Sequence, residues 1–150
     1  MILYLDTSSL VKLYVEEDGS DEVRELAGNG QTISSSWVAY AEARSAFARR
    51  YRGGGVSILE YGKRVDDFER DWGGYLKLDV HSQVLRTAGQ LTEKHGLRAL
   101  DAIHLASALD LKGGSTTPPL AVVFSSADRR LQEAARAEGL EVPRSKNGGH

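Results

Sequence analysis

The chain has 150 residues, 41% hydrophobic and 27% charged, with a formal net charge of −2 and no cysteine. That length suits one domain with a core that needs no staples, and the ordinary composition excludes a disordered or low-complexity chain. Without cysteine there is neither a disulfide nor a thiolate metal site, so any metal must use oxygen or imidazole; the slight negative charge excludes a surface that grips nucleic acid over its whole area.

The opening MILYLD lacks a basic n-region and a long apolar h-region, and no window approaches the ~18 apolar residues of a membrane span, so a cytoplasmic protein is expected. ILYLD, residues 2–6, predicts a first strand, followed by helical patterns at 8–17 and 21–27. TISS at 32–35 predicts the second strand, and helices at 37–52 and 57–72 follow. A weak strand LKLDV at 76–80 precedes helices at 82–95 and 98–112. LAVVF at 120–124, a helix at 127–138 and a short strand LEV at 140–142 complete the pattern.

Glycines at 53–55, 73–74, 96, 113–114 and 139 close the helices in the manner of C-caps. Strands that are mostly apolar runs, alternating with helices, imply a mostly parallel sheet covered on both faces: a three-layer α/β/α sandwich. One domain is expected over 1–143, with 144–150 a fraying tail and 113–119 the flexible loop.

The chemistry lies in the carboxylates. In an open parallel sheet, ligands bind outside the carboxyl ends of the strands. Asp6 ends the first strand, and Asp128 lies just past LAVVF in FSSADRRL. Each has an ordinary reading: Asp6 as a helix N-cap, and Ser125 with Asp128 as a capping box. Asp101 stands out, because the helix LRALDAIHLASAL is apolar nearly all round, and an unpaired carboxylate on such a face is costly. Its ordinary reading is a pair with Arg98, three residues earlier. Glu42, on WVAYAEARSAFARR, shares a sector with Val38, Ser45, Ala46 and Arg49, and its ordinary reading is an exposed Glu paired with Arg49. Converging carboxylates need protons or a hard cation, Mg²⁺ or Mn²⁺, and such an ion suits phosphate-ester chemistry.

MILYLDTSSLVKLY, the Glu of VAYAEARSAF, the helix LRALDAIHLASAL and FSSADRRL resemble the four acidic motifs of PIN-domain ribonucleases, in particular the VapC-type toxins of toxin–antitoxin pairs. The resemblance spans residues 1 to about 143. It implies that Asp6, Glu42, Asp101 and Asp128 line one acidic pocket binding Mg²⁺ or Mn²⁺. It also implies that Ser126 helps to hold a ligand water, and that Thr7 and Ser8 are the polar pair after the first Asp. The implied activity is metal-dependent endoribonuclease hydrolysis of RNA phosphodiesters. The implied partners are RNA, a cognate antitoxin and a second copy of the chain, with DNA reached only through the antitoxin. Arg130 departs from the pattern, standing where some members carry a further acid.

Other features read as structure. His104 is expected to pack its helix, because a hard cation prefers oxygen and no second His stands at ligand spacing. His81, His95 and His150 carry less signal still. Trp37, Tyr40 and Phe47 are expected to pack rather than stack on bases. The clustered Arg44, Arg49, Arg50 and Arg52, and the pair Arg129 and Arg130, read as solvated helical faces. The amphipathic 58–72 segment is a surface helix or a dimer or antitoxin surface. Two other functions compete with the nuclease: a non-catalytic PIN-like module binding RNA or protein, and a phosphoryl-transfer enzyme or receiver-like switch using Asp6. Four retained acids oppose the first. The absence of a second Asp at DxD spacing opposes the other.

Overall fold

The computed structural model describes residues 1–114 and 117–144. The expected tail from residue 145 onward, with His150, and two residues of the 113–119 loop lie outside the described residues. Four strands, β1 (Ile2–Leu5), β2 (Thr32–Ser36), β3 (Leu76–Leu78) and β4 (Val122–Ser125), form an all-parallel sheet in the order β3-β2-β1-β4. Around it lie α1 (Thr7–Val11), α2 (Ser20–Ala27), α3 (Val38–Arg52), α4 (Ile58–Trp72), α5 (Ser82–His95), α6 (Ala99–Lys112) and α7 (Arg129–Ala137). No helix among the described residues is long and apolar enough to cross a membrane.

The alternation of side chains along a strand decides the layering. Leu3 and Leu5 of β1 face one way, packing with Leu10, Val23, Ala43, Phe47 and Phe68 of α1 to α4. Tyr4 faces the other way, packing with Ala88, Leu105, Phe124 and Leu131 of β4 and α5 to α7. β1 and β4 are therefore apolar on both faces, as their hydrophobic runs require, whereas β2 buries Ser34, Ser35 and Ser36 beside them. Phe47 is fully buried and Tyr40 lies against Phe68 and Trp72. Trp37, although 48% exposed, meets Trp72 edge-on, beneath the Lys77 ammonium. All three aromatics pack.

The strand expected at 76–80 covers only Leu76–Leu78, and two other expected elements shrink further. The helix expected at 8–17 ends at Val11, because Val15 is buried and its carbonyl accepts from Ser20 Oγ at 2.8 Å, while Glu17 N donates to the same hydroxyl at 3.1 Å. The chain reverses there instead of extending the helix. The expected strand at 140–142 shrinks to a single parallel bridge between Val123 and Glu141, with Phe124 N donating to Glu141 O at 2.8 Å. Pro143 follows at once and has no N–H with which to continue a ladder.

The start of α4 offers a simple check of local energetics. Ser57 is its N-cap, with Oγ accepting from Glu60 N at 3.1 Å on an exposed turn. Ser57→Ala is expected to lower stability by about 1 kcal/mol, measured by urea unfolding, with no change in the functional site.

Candidate functional site

From β1 the chain steps to β2 and β3 on one side, then returns to place β4 on the other side of β1. The carboxyl ends of β1 and β4 are therefore the point at which strand order reverses and the loops splay apart, the favoured place for a ligand in an open α/β sheet. Asp6 follows β1, and Ser126 and Asp128 follow β4. Asp6 N donates to Ser125 O at 3.1 Å, extending the strand pairing up to the site.

Asp6 is 3% exposed and nearly saturated with hydrogen bonds. Its Oδ1 accepts from Ser8 Oγ at 2.7 Å and from Ser9 N at 3.0 Å, so it is the N-cap of α1; its Oδ2 accepts from Ser126 Oγ at 2.6 Å. The capping reading holds, yet the three donors do not cancel the cost of burial. Desolvation pushes the carboxyl up, against His104, Ser126, Ser8 and Ser9, which favour the ion. Asp128 is itself the N-cap of α7, its Oδ1 accepting from Leu131 N at 2.9 Å while its own N donates to Ser126 Oγ at 3.0 Å; the expected capping box with Ser125 does not form, because Ser125 ends β4 and its hydroxyl bonds Ser9 Oγ. Ser126 therefore ties the first and last acidic positions together.

Asp101 has no hydrogen bond or ion pair among the described residues, and the expected pair with Arg98 does not form. Its carboxyl is pushed up by desolvation first, and then by the charges of Asp128 and Asp6, against weaker opposition from Arg98 and His104. Asp101 and Asp128 line one cleft of about 290 Å³ with Leu97, Arg98 and Arg130. Arg130, the residue that departs from the resemblance, reaches across this cleft, with Nη1 donating to Gly96 O at 3.3 Å.

Glu42 stands apart from that cleft. It lines a second cavity of about 550 Å³ with Thr7, Ser8, Ser45, Arg49 and Leu100. Its Oε1 accepts from Thr7 Oγ1 at 2.7 Å and from His104 Nε2 at 2.9 Å, not from Arg49. Burial alone would raise its carboxyl, but these two donors outweigh it and hold the group below the usual carboxylate range. Among the described residues, no three acidic or imidazole side chains form a ready-made metal site.

The structure thus brings Asp101 and Asp128 into one cleft, sets Asp6 behind them through Ser126 and Ser8, and leaves Glu42 across His104. His104 is the residue that spacing arguments undervalued. It is 2% exposed, as a packing residue should be, but both ring nitrogens are engaged, Nδ1 with Tyr4 OH at 2.8 Å and Nε2 with Glu42. A signal was present in the sequence: His104 lies one turn beyond Asp101 on the same apolar helix, and a buried imidazole needs partners.

The donors available for a ligand are all oxygens: both of Asp101, Oδ2 of Asp128 and Oε2 of Glu42, none of which accepts a hydrogen bond among the described residues. Oxygen donors and mutual repulsion suit Mg²⁺ or Mn²⁺, and Mg²⁺ commonly takes only one or two carboxylates and keeps several waters, so a complete protein cage is not required.

The PIN domain family model matches residues 3–137. Ribonuclease VapC45 of Mycobacterium tuberculosis (strain CDC 1551 / Oshkosh) is 35% identical over 141 residues, covering 94% of each chain. Among solved structures, PAE2754 from Pyrobaculum aerophilum superposes with a TM-score of 0.66 at 14% identity, covering 95% of this chain and 89% of that one. VapBC2 from Rickettsia felis, solved bound to a promoter DNA fragment, gives a TM-score of 0.62 at 17% identity, covering 95% and 98%. At such identities the structural likeness concerns the fold, whereas the family match and the 35% relative concern descent. The chain belongs to the PIN-domain family, with VapC ribonucleases among its relatives.

Proposed function

We propose that the chain is a metal-dependent endoribonuclease and the toxin of a toxin–antitoxin pair, with Asp6, Glu42, Asp101 and Asp128 as its acidic site. The observation that carries this reading is Asp101: a half-buried carboxylate without a partner among the described residues, raised by desolvation and by Asp128 and Asp6, on a largely apolar helix facing a cleft. A residue placed only for stability would be paired or replaced by an aliphatic side chain. A relative named as a ribonuclease over nearly the whole chain supports the substrate class.

Mg²⁺ or Mn²⁺, when bound, supplies the positive charge and the activated water that phosphodiester hydrolysis requires. The chain's own residues set the stage. Ser126 and the Ser8–Ser9 turn fix the direction of Asp6, and Ser126 also holds the backbone before Asp128. Asp101 contributes unengaged oxygens. Arg98 and Arg130 put positive charge on the cleft rim, where a phosphate would enter. A cognate antitoxin, a homodimer and a cytoplasmic location belong to the same reading, as does contact with DNA only through the antitoxin.

The test uses purified protein proven free of bound inhibitor, incubated with a pool of structured RNAs plus Mg²⁺, Mn²⁺ or chelator. Cleavage is expected with either metal, none with chelator, and recovery when metal is added back. Intact RNA under every condition would favour a non-catalytic binding module, and a phosphorylated Asp6 would favour phosphoryl transfer.

A further inference from the structure

Glu42 and His104 come from opposite sides of the sheet. Glu42 is on α3, in the layer packed on Leu3 and Leu5; His104 is on α6, in the layer packed on Tyr4 and Phe124. They meet over the carboxyl edge at 2.9 Å. The protonation of the imidazole follows from its neighbours. Thr7 Oγ1 gives its hydrogen to Glu42 Oε1 at 2.7 Å, so towards His104 Nε2, 3.1 Å away, it can only accept. The carboxylate can only accept as well. Nε2 therefore carries a hydrogen shared between two acceptors, and it has no lone pair to offer a metal. The other nitrogen, Nδ1, is held by Tyr4 OH at 2.8 Å, and Tyr4 is itself fully buried and stacked on Phe124 at 5.4 Å.

The consequence falls on Glu42. Both of its hydrogen bonds arrive at Oε1, and Oε2 receives none among the described residues. We propose that His104 is a positioning residue of the acidic site: anchored at Nδ1 by Tyr4, it pins Oε1 of Glu42 through Nε2–H and so presents Oε2 as a metal ligand. The proposal rests on the reading of Glu42 as part of the metal site. It assigns to a buried histidine the role that a hydrogen-bonded outer partner plays around a metal-binding carboxylate.

A packing role and a positioning role predict opposite orders for two substitutions. If His104 only fills space in an apolar layer, His104→Leu should be better tolerated than His104→Gln, which buries an amide. If it positions Glu42, His104→Gln keeps an N–H donor near the place of Nε2, and His104→Leu loses it. Mn²⁺ binding to the folded protein, followed by the electron paramagnetic resonance of free Mn²⁺ at constant pH, reads this without any cleavage assay. His104→Leu is expected to weaken Mn²⁺ binding by about 10–100-fold, and His104→Gln to remain close to wild type. Circular dichroism checks that each variant is folded.

Tyr4→Phe provides an independent arm, because it keeps the aromatic stack and removes only the hydroxyl. It is expected to weaken Mn²⁺ binding to an intermediate degree. In ¹⁵N NMR, His104 is expected to show a protonated Nε2 in the wild type and, because Glu42 and Thr7 still accept from it, in Tyr4→Phe as well, with only the Nδ1 signal displaced by loss of the hydroxyl. A wild-type Nε2 that is unprotonated, or a leucine variant that binds Mn²⁺ as well as the glutamine variant, would overturn the proposal and leave the nuclease reading in place. A wild-type protein that binds no Mn²⁺ at all would overturn both.

Discussion

Asp101→Asn is expected to reduce metal-dependent RNA cleavage by about 10²-fold or more while leaving the protein folded. The substitution keeps the shape of the side chain and removes the one carboxylate in the cleft that has no hydrogen-bond or ion-pair partner among the described residues. The same variant is expected to be at least as stable as wild type in chelator, and the sign follows from the protonation equilibrium. Desolvation, then Asp128 and Asp6, raise the Asp101 carboxyl, so the folded chain holds that proton more tightly than the unfolded chain does. This contribution to stability is fully present below the ordinary carboxylate range and is lost as the pH rises through the raised value. At neutral pH the charged group is therefore a liability, which asparagine removes and which a divalent ion relieves. Melting curves with chelator and with Mn²⁺ should show metal stabilising the wild type more at neutral pH than in acid, and stabilising the variant little. Wild-type cleavage rates in Asp101→Asn would end the assignment of this residue.

Asp6→Ala is expected to cost about 3 kcal/mol of stability, in contrast to Asp6→Asn. Alanine deletes the N-cap of α1 and strands three donors at once: Ser9 N, Ser8 Oγ and Ser126 Oγ. The relief from no longer burying a charge offsets only part of that loss. Asparagine keeps an oxygen for the turn, and the Ser126 hydroxyl can rotate to accept from the amide, so Asp6→Asn should unfold near the wild-type midpoint in urea. Both variants are expected to lose cleavage activity. The pair thus separates the two roles of this residue, and an alanine variant as stable as wild type would mean that the cap and the Ser126 bond carry no weight.

Much of this was legible in the residues alone. The runs ILYL and VVF read as strands because both faces of the sheet are covered, and the glycines marked the helix ends. Asp101 announced itself, since even a half-buried carboxylate on a largely apolar helix is expensive enough to need a reason. The position of Asp6 at the end of the first strand was equally plain. The expected helix at 8–17 and the strand at 140–142 were over-extended, because local propensity does not register a distant hydroxyl such as Ser20 taking a carbonyl, or a proline cutting a ladder to one bridge.

By itself, then, the sequence determined the class of fold and the helix and strand order and singled out the four carboxylates, because periodicity, capping and the cost of a misplaced charge act over a few residues. Only the tertiary structure decided that β4 would lie beside β1, bringing Ser126 onto Asp6 from 120 residues away. It alone joined Glu42 to His104 across the sheet edge instead of to Arg49, about two turns along its own helix. Such partners depend on which layers meet and at what distance, and packing of the whole chain fixes that distance.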